Sequence, residues 1–372
     1  MDLPTEITEA DQKKYLHLVS TDLSKEQIKR VVTPPTTYPE QKTVLAVHWH
    51  PEFIPLDLIM ERVSAMFPNR EDELIIPTQH NQLKTLNGYS GVEVDCFSHQ
   101  FNRKVQLLLH FEESRVTDDQ AHVLKEMLNY TFKYRTRQLY EFLDTIIEDQ
   151  FQHRLAFPAK KTGSDSSLIN FVKFHTTKLK RLIEQNESVT RPEMLRNKLI
   201  RNYFNLLKEE VSPTLVERAQ IFLREVKMIV KASFPLDYFY RTSEVIEEAR
   251  SLHAGIVIPH PEQFWPILLA DYDVDGYEVW NPQSREYTEF LINVVNKQNK
   301  AGKYRDKPIL ILMGDDTHFG EKVLDPKDQD PEKAKREIGV HPAWEDREIW
   351  KSLIIANANR KRMIIEYRNR LS

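Results

Sequence analysis

Histidines and acids recur where short apolar runs end. Thr43–Val47 runs into His48-Trp49-His50, and Leu74–Ile76 is followed by Pro77-Thr78-Gln79-His80. Val92–Val94 contains Glu93, and Val105–Leu109 contains Gln106 and leads to His110. Ile256–Ile258 leads to Pro259-His260-Pro261, Tyr277–Val279 contains Glu278, and Ile309–Met313 leads to Gly314-Asp315-Asp316-Thr317-His318. Imidazole and carboxylate are ligand types that suit Zn, Mn or Fe. Residues i and i+2 of a strand point to one face, so His48 and His50 can share a site. A glutamate can bridge two cations, and cations about 3.5–4 Å apart clamp both oxygens of a displacement at phosphorus. Singly, each motif has a plainer reading. A lone His-x-His is usually accidental, His80 alone reads as a cap or loop residue, and Asp-Asp-Thr-His reads as a capped loop. Glu93 and Glu278 resist that treatment, because burying an unpaired carboxylate costs several kcal/mol. Recurrence at five strand ends is what points to a metal site.

Positioning such groups needs a sheet. The runs are continuous rather than alternating, as expected of strands buried on both faces in a parallel sheet. Amphipathic helices expected over Pro55–Phe67 and Ser284–Asn299 separate some of them. This βα repetition favours a barrel or an open doubly wound sheet, and in barrels the reactive groups come from the C-terminal ends of several strands. The 372 residues are enough for two domains, or for one large barrel with an insertion.

The nine glycines sharpen the division, since only Gly163 lies between positions 92 and 254. Strand-to-loop junctions need glycine more than helices do, so the middle is expected to be helical. Thr117 to Gln120 reads as a capping box, as does Thr190 to Glu193, and Ser212-Pro213 as a cap before a first-turn proline. Leu139, Phe142, Leu143, Ile146, Ile147 and Phe151 make one apolar stripe. Pro158, Pro192, Pro213 and Pro235 are expected to cut this region into four or five helices. The expected domains are a polar lead-in over 1–41, a barrel over 42–112 and 253–372, and an all-helical insertion over 113–252. A short helix around Lys25–Val31 is expected in the lead-in, stopped by Pro34-Pro35. Asp325–Lys335 reads as a charged loop.

Composition removes other classes. Hydrophobic residues make up 40% and charged residues 29%, a globular balance. A net charge of −4 removes any case for nucleic-acid binding by bulk charge. No apolar run is long enough to span a membrane, and the N-terminus lacks a secretory apolar core. The lone Cys96 points to a reducing, cytoplasmic setting and reads as a small buried residue. No G-x-G-x-x-G or G-x-S-x-G occurs. Tyr130, Phe132, Tyr134 and Tyr140, interleaved with Lys133, Arg135 and Arg137, read as a helix with one packed face.

The order of the strand-end motifs resembles the PHP family, the polymerase and histidinol phosphatase domain of metal-dependent phosphoesterases. That family runs from Asp-x-His-x-His through Thr-Asp-His, Gly-Ile-Glu, a His-x-Leu strand, His-Pro and Ile-Glu-Val to Gly-Ser-Asp-x-His. The matching segments are Ala46–His50, Thr78–His80, Gly91–Glu93, Gln106–Leu108, His260-Pro261, Tyr277–Val279 and Gly314–His318. The resemblance spans about residues 43–320. It implies a distorted seven-stranded TIM-like β/α barrel, with His48, His50, His80, Glu93, His260, Asp316 and His318 as metal ligands. It also implies two or three Zn, Mn or Fe ions and hydrolysis of a small phosphorylated metabolite or nucleotide by a metal-activated water. Arg103, beside Lys104, is a candidate for gripping substrate phosphate, though solvated surface charge is the plainer reading of that pair.

Three positions depart from the family pattern. Ala46 replaces an aspartate, Gln79 another, and Gln106 a ligand histidine. His110 is a candidate to compensate for Gln106, and Asp57 is the nearest candidate for a further ligand after His-x-His. Losses of this kind typically cost ten- to a hundredfold in metal affinity or activity, so fewer ions than in relatives are expected. Two alternatives stand beside the phosphoesterase: a degenerate, non-catalytic PHP-like metal-binding scaffold, and an amidohydrolase-type hydrolase. The amidohydrolase usually places a bridging lysine on its fourth strand, and none occurs in Val105–Leu109.

Overall fold

The computed structural model describes residues 6–301 and 307–372. The first five residues of the expected lead-in, and Gly302, lie outside them. Each apolar run becomes a strand within a residue or two of its expected place, except that two of the runs lie inside longer strands. With three further short strands, the described residues form β1 (Thr43–Ala46), β2 (Trp49–His50), β3 (Asp72–Ile75), β4 (Lys84–Leu86), β5 (Tyr89–Ser98), β6 (Arg103–Glu112), β7 (Gly255–Ile258), β8 (Gly276–Trp280), β9 (Leu310–Met313) and β10 (Thr317–His318). Six form one sheet in the order β4-β5-β6-β7-β8-β9, while β1 pairs with β3 and β2 with β10.

The expected all-parallel arrangement is corrected here. β7, β8 and β9 are parallel, as are β1 with β3, but β6 runs antiparallel to both β5 and β7. Only four residues join β5 to β6, and a parallel partner would need a crossover of a dozen or more. β4 and β5 likewise form a hairpin across Asn87-Gly88, both with positive φ (50° and 82°), the backbone that a two-residue turn demands. A regular TIM-like barrel of parallel strands is therefore not what the pairing shows.

The sheet-bearing unit comprises Leu23–Phe132 and Leu236–Ser372. β1 is buried on both faces: Leu45 joins the apolar cluster of the main sheet, whereas Val44 and Ala46 join a second cluster with Ile59, Val63, Met66 and Phe67. Ile59, Arg62, Val63 and Met66 form the inward stripe of helix Leu56–Met66 at helical spacing. Buried Arg62 pairs with Glu337 (2.6 and 2.8 Å), and Lys322 Nζ donates to the same carboxylate at 2.7 Å.

The other unit, Met1–Asp22 and Lys133–Pro235, is helical in its described part. Leu139, Phe142, Leu143 and Ile146 bury in its core with Val172, Phe204 and Phe222. Pro158 lies inside helix Gln152–Thr162 rather than ending one. Thr190 donates or accepts with Tyr15 OH instead of forming a capping box, and Ser212 makes no side-chain cap although Pro213 does open its helix.

The unit limits differ from the expected insertion of 113–252. Helices His122–Phe132 and Thr242–Ser251 go with the sheet, because Leu124, Leu128, Val245 and Ala249 bury among its strands. The lead-in divides as well. Tyr15 of helix Glu9–Val19 buries in the helical core, and Val31 of helix Lys25–Val32 buries in the cluster that holds Val44. Cys96 is buried, and burial pushes its thiol up to about 12. Among the described residues no helix is long and apolar enough to cross a membrane.

Candidate metal centre

β2 and β10 pair in parallel and set His50 beside His318, their rings stacked at 4.3 Å. The segment after β3 forms a bridge between His80 and Glu93, and the His80 ring stacks on His50, also at 4.3 Å. His260 follows β7 and approaches Glu93 Oε1 to 3.7 Å. All seven residues implied by the resemblance thus meet in one cluster. They form three groups of side chains whose potential ligand atoms lie within 4.8 Å of one another. These are His50, His80 and His318; His48, His50 and Asp316; and His48, Glu93 and His260.

Asp316 organises the middle of the cluster. Its Oδ1 faces His50 Nε2 and His318 Nε2, each at 3.3 Å, and His48 Nε2 at 3.7 Å. Its Oδ2 is held by Arg336 Nη1 (2.6 Å) and Gln283 Nε2 (2.7 Å), which fixes the carboxylate plane. Glu278 does the same for His48. Both of its oxygens lie 3.1 Å from His48 Nδ1, which turns Nε2 toward the cluster. Carboxylate partners of this kind set the tautomer and ring angle of a metal-binding histidine. Gly314 permits the arrangement, since a Cβ there would overlap the Glu278 carboxylate.

The surrounding backbone is specialised too. Glu52, His260 and Asp316 adopt positive φ (54°, 29° and 47°) without being glycine. Residues held this way concentrate at functional sites, where neighbours over-determine them. Gln79 Oε1 accepts from the Glu52 N–H at 3.0 Å, and Thr78 Oγ1 accepts from Trp49 N–H and donates to Trp49 O. Thr78 and Gln79 therefore clamp the His-x-His segment and the turn after it.

The donor set fits divalent cations. Five imidazoles and two carboxylates are gathered there; His48 Nε2 and both His50 ring nitrogens make no hydrogen bond among the described residues, while Glu93 Oε2 lies against His80 Nδ1 at 2.5 Å. Buried polar atoms are otherwise almost always paired. Burial, helped by the neighbouring His318 and His80 charges, pushes His50 down to about 3, so it is a neutral, ready donor. Burial alone would lower His48 as well, but Glu278 outweighs it and raises this imidazole to about 10. Burial opposes ionisation of Glu93 and Asp316, yet the imidazoles around them hold both carboxyls well below the usual range.

Three further candidates named from the sequence take other places. His110 is not a substitute ligand. Its Nε2 donates to Val47 O at 2.9 Å, which leaves Nδ1 to accept from Tyr367 OH at 2.6 Å. Asp57 is exposed in the first turn of its helix, where a carboxylate suits the dipole, and lies outside the cluster. Arg103 pairs with Ser98, five residues along β5 from Glu93, about 17 Å away at strand spacing. Lys104 is paired with Asp95.

Sequence reasoning missed Glu52, which is buried with Oε1 3.9 Å from His318 Nδ1. The available signal was an acid two residues beyond His50, on the His-x-His side of Asp57. It also missed Arg336 and Gln283, which carry no motif.

No family model matches the chain, and no curated protein matches it. Solved structures include the crystal structure of a "putative metal-dependent phosphoesterase" from Bifidobacterium adolescentis. It is 14% identical and aligned over 87% of this chain and 97% of that one, with a TM-score of 0.41. A likeness that shallow decides nothing about fold or function, and the functional reading rests on the cluster itself.

Proposed function

We propose that the cluster holds at least two divalent cations and hydrolyses a phosphate ester. The carrying observation is that His50, His80 and His318 share no residue with His48, Glu93 and His260, so both groups can be filled at once, with Asp316 between them. Bound there, such ions would polarise a phosphate oxygen and lower the pKa of a water. The chain's own part is to hold the donors: Glu278 orients His48, Arg336 and Gln283 orient Asp316, and Thr78 fixes the backbone between His48 and His50. As part of this reading, the His80–Glu93 bridge and the β2–β10 pair link β1, β3, β5, β6, β7, β8 and β9 into one distorted ring. Zn, Mn and Fe all suit the donors. The amidohydrolase alternative lacks its lysine on the fourth strand, since Val105–Leu109 contains none.

Elemental analysis of purified protein, with and without Mn or Zn supplementation, tests the metal. A panel of phosphomonoesters, nucleotides and a cyclic phosphodiester tests the reaction. Two or more equivalents of metal and turnover of at least one ester are expected. Metal without turnover on any of them would leave the scaffold reading. No bound metal would end both.

A further inference from the structure

The loop after β8 and the segment 330–342 enclose a cavity of about 530 Å³. Two of its lining side chains, Gln283 and Arg336, are the ones that grip Asp316 Oδ2, so the cavity adjoins the metal cluster through a single carboxylate.

The cations and acids lining the cavity differ in availability. Asp315 is occupied by the N–H groups of Thr317 (3.1 Å) and Gly339 (2.9 Å). Glu337 is occupied by Arg62 and Lys322. Asp330 caps the backbone of Glu332 and Lys333, and Glu332 pairs with Lys335 at 2.9 Å. Arg285 and Lys333 also line the cavity; neither has a carboxylate oxygen within 4 Å among the described residues, although Glu332 feels the Arg285 charge. Arg336 is 7% exposed, and its Nε–H has no hydrogen-bond partner. A buried donor left unmade is costly, and a guanidinium suits a phosphate or carboxylate oxygen. Three cationic groups with spare donors therefore line one cavity, beside four acids that each already hold a partner.

We propose that this cavity is an anion subsite, which takes a second negatively charged group, phosphate or carboxylate, on the same substrate whose ester lies at the metal cluster. The assignment narrows the phosphoesterase reading, on which it rests, to small molecules with two anionic groups.

The test compares kcat/KM for fructose 1,6-bisphosphate and for O-phosphoserine with that for p-nitrophenyl phosphate, which has no second anion. The wild-type protein should favour at least one of the doubly anionic esters, and the favoured one separates phosphate from carboxylate. In R285A/K333A the ratio should fall at least tenfold, through KM. An unchanged ratio would overturn the subsite. A second readout is independent of turnover: inorganic pyrophosphate titrated into metal-stripped protein should raise Tm saturably, and R285A/K333A should abolish that rise. A rise that persists in the variant, or none in the wild type, would refute the assignment. Absence of esterase activity with an intact pyrophosphate response would instead fault the phosphoesterase reading alone.

Discussion

His50 and His110 are both fully buried on strands of one unit, and burial pushes both imidazoles down to about 3. Their surroundings differ in one respect. His110 has each ring nitrogen satisfied, by Val47 O and Tyr367 OH, whereas both nitrogens of His50 lack a hydrogen bond and face other imidazoles and carboxylates. The first arrangement is complete as it stands and ties β6 to the end of β1. The second leaves both nitrogens open to a cation. Hydrogen-bond saturation, rather than residue type or burial, separates this structural histidine from a candidate ligand.

The largest effect should come from breaking the unsaturated side. His48→Ala and Asp316→Ala should each abolish tight metal binding, and with it turnover. Equilibrium dialysis with elemental analysis checks this, and full metal occupancy in either variant would show that the cluster is not the centre. On the saturated side, His110→Ala strands the Val47 carbonyl and the Tyr367 hydroxyl and opens a void. Denaturant unfolding should show a loss of about 2–4 kcal/mol, and the variant should still bind metal. A variant that lost the metal and kept its stability would reverse the distinction.

Glu278→Gln keeps the shape but weakens the acceptor behind His48. A ten- to a hundredfold fall in metal affinity is expected, as for other outer partners of ligand histidines. An affinity within twofold of wild type would make Glu278 a structural acid only.

The smallest and most discriminating effect is in the pH dependence of metal-stripped protein. His110 titrates lower in the folded state than its ordinary value of 6.5, so its contribution is full above about 6.5 and is lost as pH falls toward about 3. Metal-free His48 is raised to about 10, so its contribution is full below about 6.5 and is lost as pH rises toward 10. Each limb should slope at about 1.4 kcal/mol per pH unit and group. Stability should therefore peak near pH 6.5. H48A should make the alkaline limb shallower, since His260 and His318 are raised too, and H110A should make the acid limb shallower. A stability profile that kept rising to pH 9 would contradict the opposition.

Much of the candidate site was readable because its candidate ligands lie next to apolar runs that had to be strands. His48 and His50 share a face by alternation alone, and Glu93 stood out as a charge inside an apolar run. Glu52 was passed over because its role depends on a left-handed turn held by Gln79, and no spacing rule predicts that contact. The hairpins were overlooked for a different reason. Continuous burial resembles a parallel sheet, while the informative signals were the Asn87-Gly88 turn and the four-residue link before β6. The helical unit showed its apolar stripe, but not that helices His122–Phe132 and Thr242–Ser251 bury against the sheet. An amphipathic pattern says that a face is covered without saying by what.

Local chemistry in the chain determined where strands and helices form, which side chains can donate to a cation, and that the middle of the chain is helical. Propensity, alternation and burial cost act over a few residues. Tertiary structure alone decided that seven donors from segments up to 270 residues apart share one cluster. It also decided that His110 is saturated where His50 is not, and that Arg336 stands behind Asp316. Those outcomes depend on which distant atoms fill a hydrogen-bonding position, and only the packed chain settles that.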